Sequence, residues 1–130
     1  MPALRARVQP TDEVLVNIPT IFYTEPQTLR RTVTLLGHQV SVIARPVVYT
    51  WHHGDGTTAR TSRPGRPYPA KDVTHRYRDT GENLRIGVDT SYAVTYTVDG
   101  GPRQELSGTL TAVGPTTTID VTEASPILTR

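Results

Sequence analysis

The sequence predicts an all-β chain folded as a β-sandwich, and three observations lead to this fold class. Threonine (22 residues) and valine (14 residues) are the commonest residue types, and both are β-branched, which favours extended backbone. The 11 prolines and 10 glycines divide the chain into short segments. Within those segments apolar and polar residues alternate, as in strands that bury one face. No stretch shows convincing helical periodicity.

Four strands are predicted in the first half of the chain. They cover residues 13–18, 29–36, 39–44 and 47–52. Gly37-His38 joins the second and third as a two-residue hairpin turn, with glycine at the first central position. Arg45-Pro46 separates the third from the fourth, because proline removes a backbone donor from a strand.

Four further strands are predicted in the second half. They cover residues 84–88, 92–98, 105–111 and 116–122. The segment 92–98 alternates most clearly, with tyrosine and valine on one face and alanine and threonine on the other. The sequence DGGP at 99–102 closes this strand as a hairpin. The total of about eight or nine short strands has the spacing of a β-sandwich.

Length and charge exclude several classes of protein. A chain of 130 residues has the size of one domain, so residues 1–130 are predicted to form a single domain. The absence of cysteine excludes disulfides, thiolate metal sites and cysteine nucleophiles. The net charge of +2 is small and its cations are scattered, so no nucleic-acid partner is predicted. No segment is apolar for long enough to predict membrane insertion.

The segment TWHHGDGTTA at 50–59 is the most distinctive in the chain. A phosphate-binding loop would need a following lysine and helix, and an EF-hand would need a series of acidic residues, so neither fits. His52 and His53 are adjacent on a strand and point to opposite faces, which disfavours a shared zinc ion. The segment is interpreted as the end of a strand and a tight turn, with Trp51 in the core. No metal or cofactor is predicted, although calcium stays open because carboxylates at loop ends recruit it without a motif.

A second segment, VTHRYRDTGENLRIGV at 73–88, extends this pattern with a short strand at His75 and Tyr77, a turn at Gly81 and an alternating strand after it. Together the two segments resemble the PKD-type domain, an immunoglobulin-like β-sandwich, over about residues 47–89. The matching residues are Trp51, Gly54, Asp55, Gly56, His75, Tyr77 and Gly81. The resemblance implies that Trp51 and Tyr77 are core residues and that Asp55 and His75 form structural hydrogen bonds. The whole chain is also similar to secreted PKD-containing proteins of actinobacteria.

The chain departs from the PKD pattern in three ways. The family often has an aromatic residue where this chain has His53. The connection at 57–74 is long, and strands are predicted beyond the family's expected last strand. The expected fold is therefore an immunoglobulin-like sandwich with a long loop at 57–74 and an extra C-terminal hairpin.

The resemblance implies a non-catalytic interaction or structural module, extracellular or at the cell surface, that binds a protein or a glycan. No signal peptide is visible in residues 1–10, so this location implies a removed leader or export within an assembly. The 57–74 loop contains three prolines and the candidate binding residues Arg60, Arg63, Arg66 and Tyr68, together with Lys71. Arginine and tyrosine often anchor interfaces, so the loop is a candidate docking surface. A plain solvated connection is the alternative.

Two other functions stay open. The strand-like chain ends favour a subunit that self-assembles through strand or edge packing, in a surface filament, a pilus-like fibre or a virion. A hydrolase would need a triad such as His75 with Asp55 or Asp72 and a hydroxyl nucleophile. No nucleophile motif accompanies those residues, so the chain is not predicted to be an enzyme.

Overall fold

The computed structural model describes residues 1–11 and 13–123, and in this part of the chain all regular structure is β. The strands are β1 (Arg7–Gln9), β2 (Val14–Leu15), β3 (Thr20–Tyr23), β4 (Leu29–Leu35), β5 (His38–His52), β6 (Thr58–Thr61), β7 (Thr74–His75), β8 (Gly81–Val98), β9 (Gln104–Glu105), β10 (Leu110–Val113) and β11 (Thr117–Thr122). The predicted all-β class is confirmed. The described residues also contain no helix that is long and apolar enough to span a membrane.

The strands form two sheets. A three-stranded antiparallel sheet has the order β1-β3-β7, and we call it the small sheet. The large sheet has the order β2-β11-β8-β5-β4, with β6 added to β5 and with β9 and β10 added to β8. Its β2–β11 pair is parallel, and this part of the sheet curls into a half-barrel. The expected immunoglobulin-like sandwich therefore stays a prediction.

Two long strands dominate the large sheet, where the sequence predicted four shorter ones. Strand β5 has 15 residues and runs through Pro46, with an irregularity in its pairing to β8 between Pro46 and Val48. On its other edge, pairing with β4 ends at Ala44 and pairing with β6 begins at Tyr49. On that edge Pro46 therefore lies in the gap between β4 and β6, where no strand needs its missing N–H group.

Strand β8 has 18 residues and continues through the polar segment 89–91, where the sequence predicted a break. Thr90 in that segment is fully buried, and Asp89 accepts a hydrogen bond from His52. Burial alternates through this segment, with Val88, Thr90 and Tyr92 buried and Asp89 and Ser91 partly exposed. Asp89 and Ser91 are hydrogen-bonded to His52 and Thr111 within the sheet, and these polar residues were mistaken for a turn.

The turns differ from prediction in position and type. Leu36 and Gly37 have positive φ angles of 50° and 79°, which makes a type I′ turn one residue earlier than expected. The predicted strand 13–18 shortens to β2, because Asn17 has a φ of 64°. The predicted return strand 105–111 is divided into β9 and β10.

The main core lies between the two sheets. Phe22 and Val8 contribute to it from the small sheet, and Trp51, Ile86 and Val121 contribute from the large sheet. The rings of Phe22 and Trp51 meet edge to face with centroids 6.0 Å apart. This core fixes the end of β5, and therefore the turn that follows Trp51.

Beyond this core, β4 and the adjoining halves of β5 and β8 continue as an extension of three main strands, which we call the arm (residues 29–44 and 92–98). The two-residue β9 pairs with the free edge of β8 at Thr95 and Tyr96. A second, smaller cluster of Ala44, Tyr92 and Val94 lies at its base, where the Tyr92 hydroxyl donates to the carbonyl of Pro2. At its tip the Asp99 carboxylate accepts from the Gln39 backbone N–H at 2.8 Å.

Candidate functional site

The Gly-Asp-Gly segment forms the tight turn between β5 and β6. Gly54 and Gly56 have φ angles of 85° and 88°, which residues other than glycine rarely adopt. A Cβ atom at Gly54 would lie 2.9 Å from the carbonyl oxygen of Arg85. A Cβ atom at Gly56 would meet nothing within 4 Å. Gly54 is therefore required by both conformation and space, and Gly56 by conformation alone.

The Asp55 carboxylate is the polar centre of this turn. It accepts hydrogen bonds from the Thr57 backbone N–H at 3.0 Å, from the Thr57 hydroxyl, and from His75 Nε2 at 2.8 Å. Burial alone would raise its pKa, but the hydrogen bonds from Thr57 and His75 dominate and lower the pKa of Asp55 to about 2. The contact with His75 ties β7 to the end of β5.

His53 is buried beside this carboxylate, with 3 % of its surface exposed. Its ring is stacked on His75, with centroids 3.7 Å apart and planes 4° from parallel. Its Nδ1 lies 2.9 Å from the Thr57 hydroxyl. Because that hydroxyl donates its only proton to Asp55, Nδ1 of His53 must donate, and Nε2 carries the bare lone pair. Nε2 is buried and has no hydrogen-bond partner in the described residues.

The surroundings of His53 hold its imidazole in the neutral form. Burial, and next the adjacent His75, lower the pKa of His53 to about 4. One signal for this residue was available in the sequence, because the PKD pattern that this segment resembles often has an aromatic ring where His53 stands. In the structure His53 is a buried imidazole that stacks on the ring of His75.

The remaining motif residues surround the turn. The buried Tyr77 hydroxyl donates to the backbone carbonyl of His53 at 2.6 Å, and burial raises the pKa of Tyr77. The indole N–H of the fully buried Trp51 donates to the Thr61 hydroxyl at 2.9 Å. Gly81, expected in a turn, is instead the first residue of β8.

The cluster of His53, Asp55 and His75 has metal-ligand residue types, whose ligand atoms lie within 4.8 Å of one another. Imidazole binds a metal through a lone pair in the plane of its ring. Because the two rings are stacked in parallel, their lone pairs do not converge on one ion. Both Asp55 oxygens already accept hydrogen bonds. The cluster therefore does not fit a metal in this arrangement.

The same cluster lacks the geometry of a catalytic triad. A triad requires a hydroxyl nucleophile bonded to the histidine base. The Thr57 hydroxyl donates to Asp55 and accepts from His53 Nδ1, so His53 is not positioned as its base. Within the described residues no hydroxyl is hydrogen-bonded to His75. Asp72, the other acid considered, bonds to Arg66. The cluster organises a turn.

A surface groove of about 820 Å³ lies elsewhere, between the segment 9–21 and the 57–74 loop. Leu15 and Ile21 line it from the first segment, and Tyr68 and Lys71 line it from the loop. Ile18 and Tyr68 are 50 % and 71 % exposed. The Tyr68 backbone N–H donates to the Gln9 side chain at 2.6 Å, which holds the loop against the segment.

The structure places the four predicted binding residues in different surroundings. Tyr68 lines the groove, whereas the three arginines are not among its lining residues. Arg60 lies in β6 opposite Thr50, and Arg63 is exposed before the loop reaches the groove. The Arg66 guanidinium donates two hydrogen bonds to the Asp72 carboxylate, at 2.7 and 3.1 Å, in a bidentate ion pair.

Sequence reasoning missed the apolar side of the groove. It assigned residues 13–18 to a strand, which implied that their alternate apolar side chains face the core. Ile18 instead follows the turn at Asn17 and stays on the surface. The Ile18-Pro19 pair was the available signal, because proline ends a strand and leaves its neighbour outside the ladder.

Comparison of the chain with protein-family models, with curated proteins and with solved structures finds no match. The relation to PKD-type domains therefore remains a resemblance carried by the quoted residues of the segment 47–89.

Proposed function

We propose that this chain is a non-catalytic interaction module, extracellular or at the cell surface, built on a PKD-type immunoglobulin-like sandwich. Its groove binds an apolar segment of a partner protein. The observation that carries this proposal is the pairing of exposed Ile18 and Tyr68 on the groove's two sides.

The composition of the groove favours a polypeptide partner. Leu15, Ile18 and Ile21 supply an aliphatic surface, and Tyr68 adds an aromatic ring. Tyrosine is enriched at the residues that dominate binding energy in protein interfaces. Concave surfaces with apolar linings and a few polar groups are the usual form of a binding site. A glycan partner would depend more on stacking against Tyr68 and less on the aliphatic residues.

The non-catalytic part of the proposal is supported by the Gly-Asp-Gly turn. Its titratable residues contact one another, because His75 donates to Asp55 and stacks on His53. Asp55 accepts three hydrogen bonds in all. The groove lies on other segments, so binding there leaves the turn to its structural role. The location outside the cell is supported by the resemblance to secreted proteins.

A displayed library of random 12-residue peptides, selected on the immobilised chain, tests this proposal. We expect the selected peptides to be rich in apolar residues. Tyr68→Ala and Ile18→Asp should each weaken the binding of a synthetic selected peptide by about tenfold or more, measured by fluorescence anisotropy. Leu36→Asp is the matched control, because Leu36 is a 99 % exposed apolar residue outside the groove.

Three outcomes would contradict the proposal. Selection could yield no peptide, or the selected peptides could bind the groove variants as tightly as the parent chain. Binding to a glycan array that requires Tyr68 but not Ile18 would replace the protein partner with a glycan. Each variant must keep the far-UV circular dichroism spectrum of the parent for its result to count.

A further inference from the structure

The arm has two faces of opposite character. Strand alternation and register place the following residues on one face, which we call the apolar arm face: Val33, Val40, Val42, Ala44, Val94 and Val98. Leu35 lies on the same face near the tip and is 58 % exposed. The opposite face carries mainly threonine, serine and arginine, with Ile43 and Ala93 as its apolar members.

The apolar arm face continues the inner surface of the main core. On β8, Ile86 and Val88 point to the same side as Val94 and Val98, because all four are separated by even numbers of residues. Ile86 and Val88 belong to the core that the small sheet completes. Along the arm, Val40, Val42 and Val98 stay partly exposed. Within the described residues, the small sheet therefore covers the large sheet only at the main core, and the apolar arm face extends beyond this cover.

A sheet that is apolar on one side and polar on the other normally buries its apolar side against a second layer. The polar face of the arm is suited to contact with solvent. On it the hydroxyls of Thr32 and Ser41 form a hydrogen bond between β4 and β5. The apolar face has the composition of a sandwich interior. Its segregated residues indicate that another layer covers it.

We infer that a second copy of this chain supplies that layer, with the apolar arm faces of the two copies packed against each other. The second copy presents an identical apolar face of equal width. Strand orientation is then constrained, because each small sheet projects on the same side as the apolar face. Arms running in the same direction would bring the two small sheets into collision. Antiparallel arms related by a two-fold axis avoid this, and each arm occupies the layer beyond the other copy's small sheet.

Charge and area are consistent with a weak, reversible dimer. Arg31 and His38 are the basic residues on this face, His38 opposite Leu35 near the tip. Arg31 lies on the outer strand β4, so its guanidinium can reach solvent, and His38 is bonded to the Asp99 carboxylate at 2.6 Å. Three strands about 4.8 Å apart, each with about seven residues at about 3.3 Å, give a footprint of roughly 300 Å² per copy. Two such footprints total about 600 Å², which is below the standard size of a specific interface and fits only a weak, transient dimer, so we place its dissociation constant at about 100 μM.

Sedimentation velocity from about 5 μM to about 1 mM tests the dimer, a range that brackets this dissociation constant. The mass should rise from that of one chain, 14.3 kDa, towards twice that value. Leu35→Asp and Val33→Asp each place a carboxylate on the apolar arm face and should keep the chain monomeric over this range. Thr32→Asp is the matched control on the opposite face of the same strand, and it should dimerise like the parent.

The outcomes separate this inference from its competitors. A parent chain that stays monomeric at all concentrations would overturn it, as would a dimer that survives both face variants. Loss of the dimer in Thr32→Asp alone would indicate pairing through the β4 edge instead. Leu35 is exposed, so Leu35→Asp should keep the fold even where Val33→Asp does not. Peptide binding to the groove is scored separately and should be unchanged in the face variants.

Discussion

His53 is a neutral, buried imidazole, and its surroundings link the stability of the fold to pH. Its pKa is about 4 in the folded chain and about 6.5 when unfolded. Between these values the unfolded state binds more protons, so stability rises with pH. His53 should therefore add its full contribution above pH 6.5 and lose it as the pH falls towards 4. The shift corresponds to about 3 kcal/mol.

Urea denaturation at pH 7.5 and pH 4.5 measures this effect. The parent chain should lose stability between the two, and His53→Phe, which keeps a stacked ring, should lose distinctly less. Asp55 does not interfere, because its stabilising contribution is lost only as the pH falls from its ordinary value of 3.8 towards 2. An equal loss in the parent and in His53→Phe would show that His53 is not the responsible group.

Trp51 is fully buried and joins the two sheets through its contact with Phe22. We expect Trp51→Ala to reduce the free energy of unfolding by about 3–5 kcal/mol, because the fold cannot fill the space of an indole. Trp51→Phe leaves a smaller cavity and loses the bond to Thr61, so its loss should be smaller. Thermal and urea denaturation measure both variants. Native-like stability in Trp51→Ala would contradict a core role.

At the scale of the element, the turn between β5 and β6 can be tested with two glycines that share a conformation. Gly54→Ala and Gly56→Ala both place a side chain at positive φ, which costs about 1 kcal/mol. Gly54→Ala also forces a clash with the Arg85 carbonyl, so it should be the more destabilising by at least about 1 kcal/mol. Equal losses in urea denaturation would show that the backbone relaxes around the new Cβ.

The strand pattern made most of the large elements predictable. Strands β4 and β11 match their predicted segments closely, because alternation was clear and turns bounded them. The length of β5 and β8 was not predictable from local rules, because Pro46 and the polar residues 89–91 normally end strands. Whether a strand can continue through such residues depends on which neighbouring strand pairs with it at each position. That pairing is set by the assembled sheet and not by the local sequence.

The candidate sites were predictable to different degrees. The PKD resemblance implied that Asp55 and His75 each form structural hydrogen bonds. Neither their bond to each other nor the stacking of His53 on His75 was predicted. The groove was not foreseen either, because it joins two segments that are distant in the sequence. Tyr68 was identified as a binding residue by its type, but Ile18 was assigned to a strand.

At the scale of the whole molecule, the main core draws residues from both sheets, including Val14 and Val121 from the parallel β2–β11 pair. We therefore expect one cooperative unfolding transition. Tryptophan fluorescence, which reports on Trp51, and far-UV circular dichroism should give the same midpoint in urea. Val121→Ala should lower both midpoints together. Midpoints that separate would show that the sheets, or the arm with its own cluster, unfold independently.

The β2–β11 pair also sets a time for folding during synthesis. Val14 pairs with Val121, so β2 has no partner in its sheet until residue 121 has been made. Translation at about 5–20 residues per second makes this interval roughly 5–20 s. During that interval the β2 edge is unpaired, and the edge of β8 that β11 joins stays open once β8 has been made. Closure of such a distant pair is slow. The nascent chain therefore emerges with these strand edges available to chaperones, and the large sheet closes only when β11 arrives.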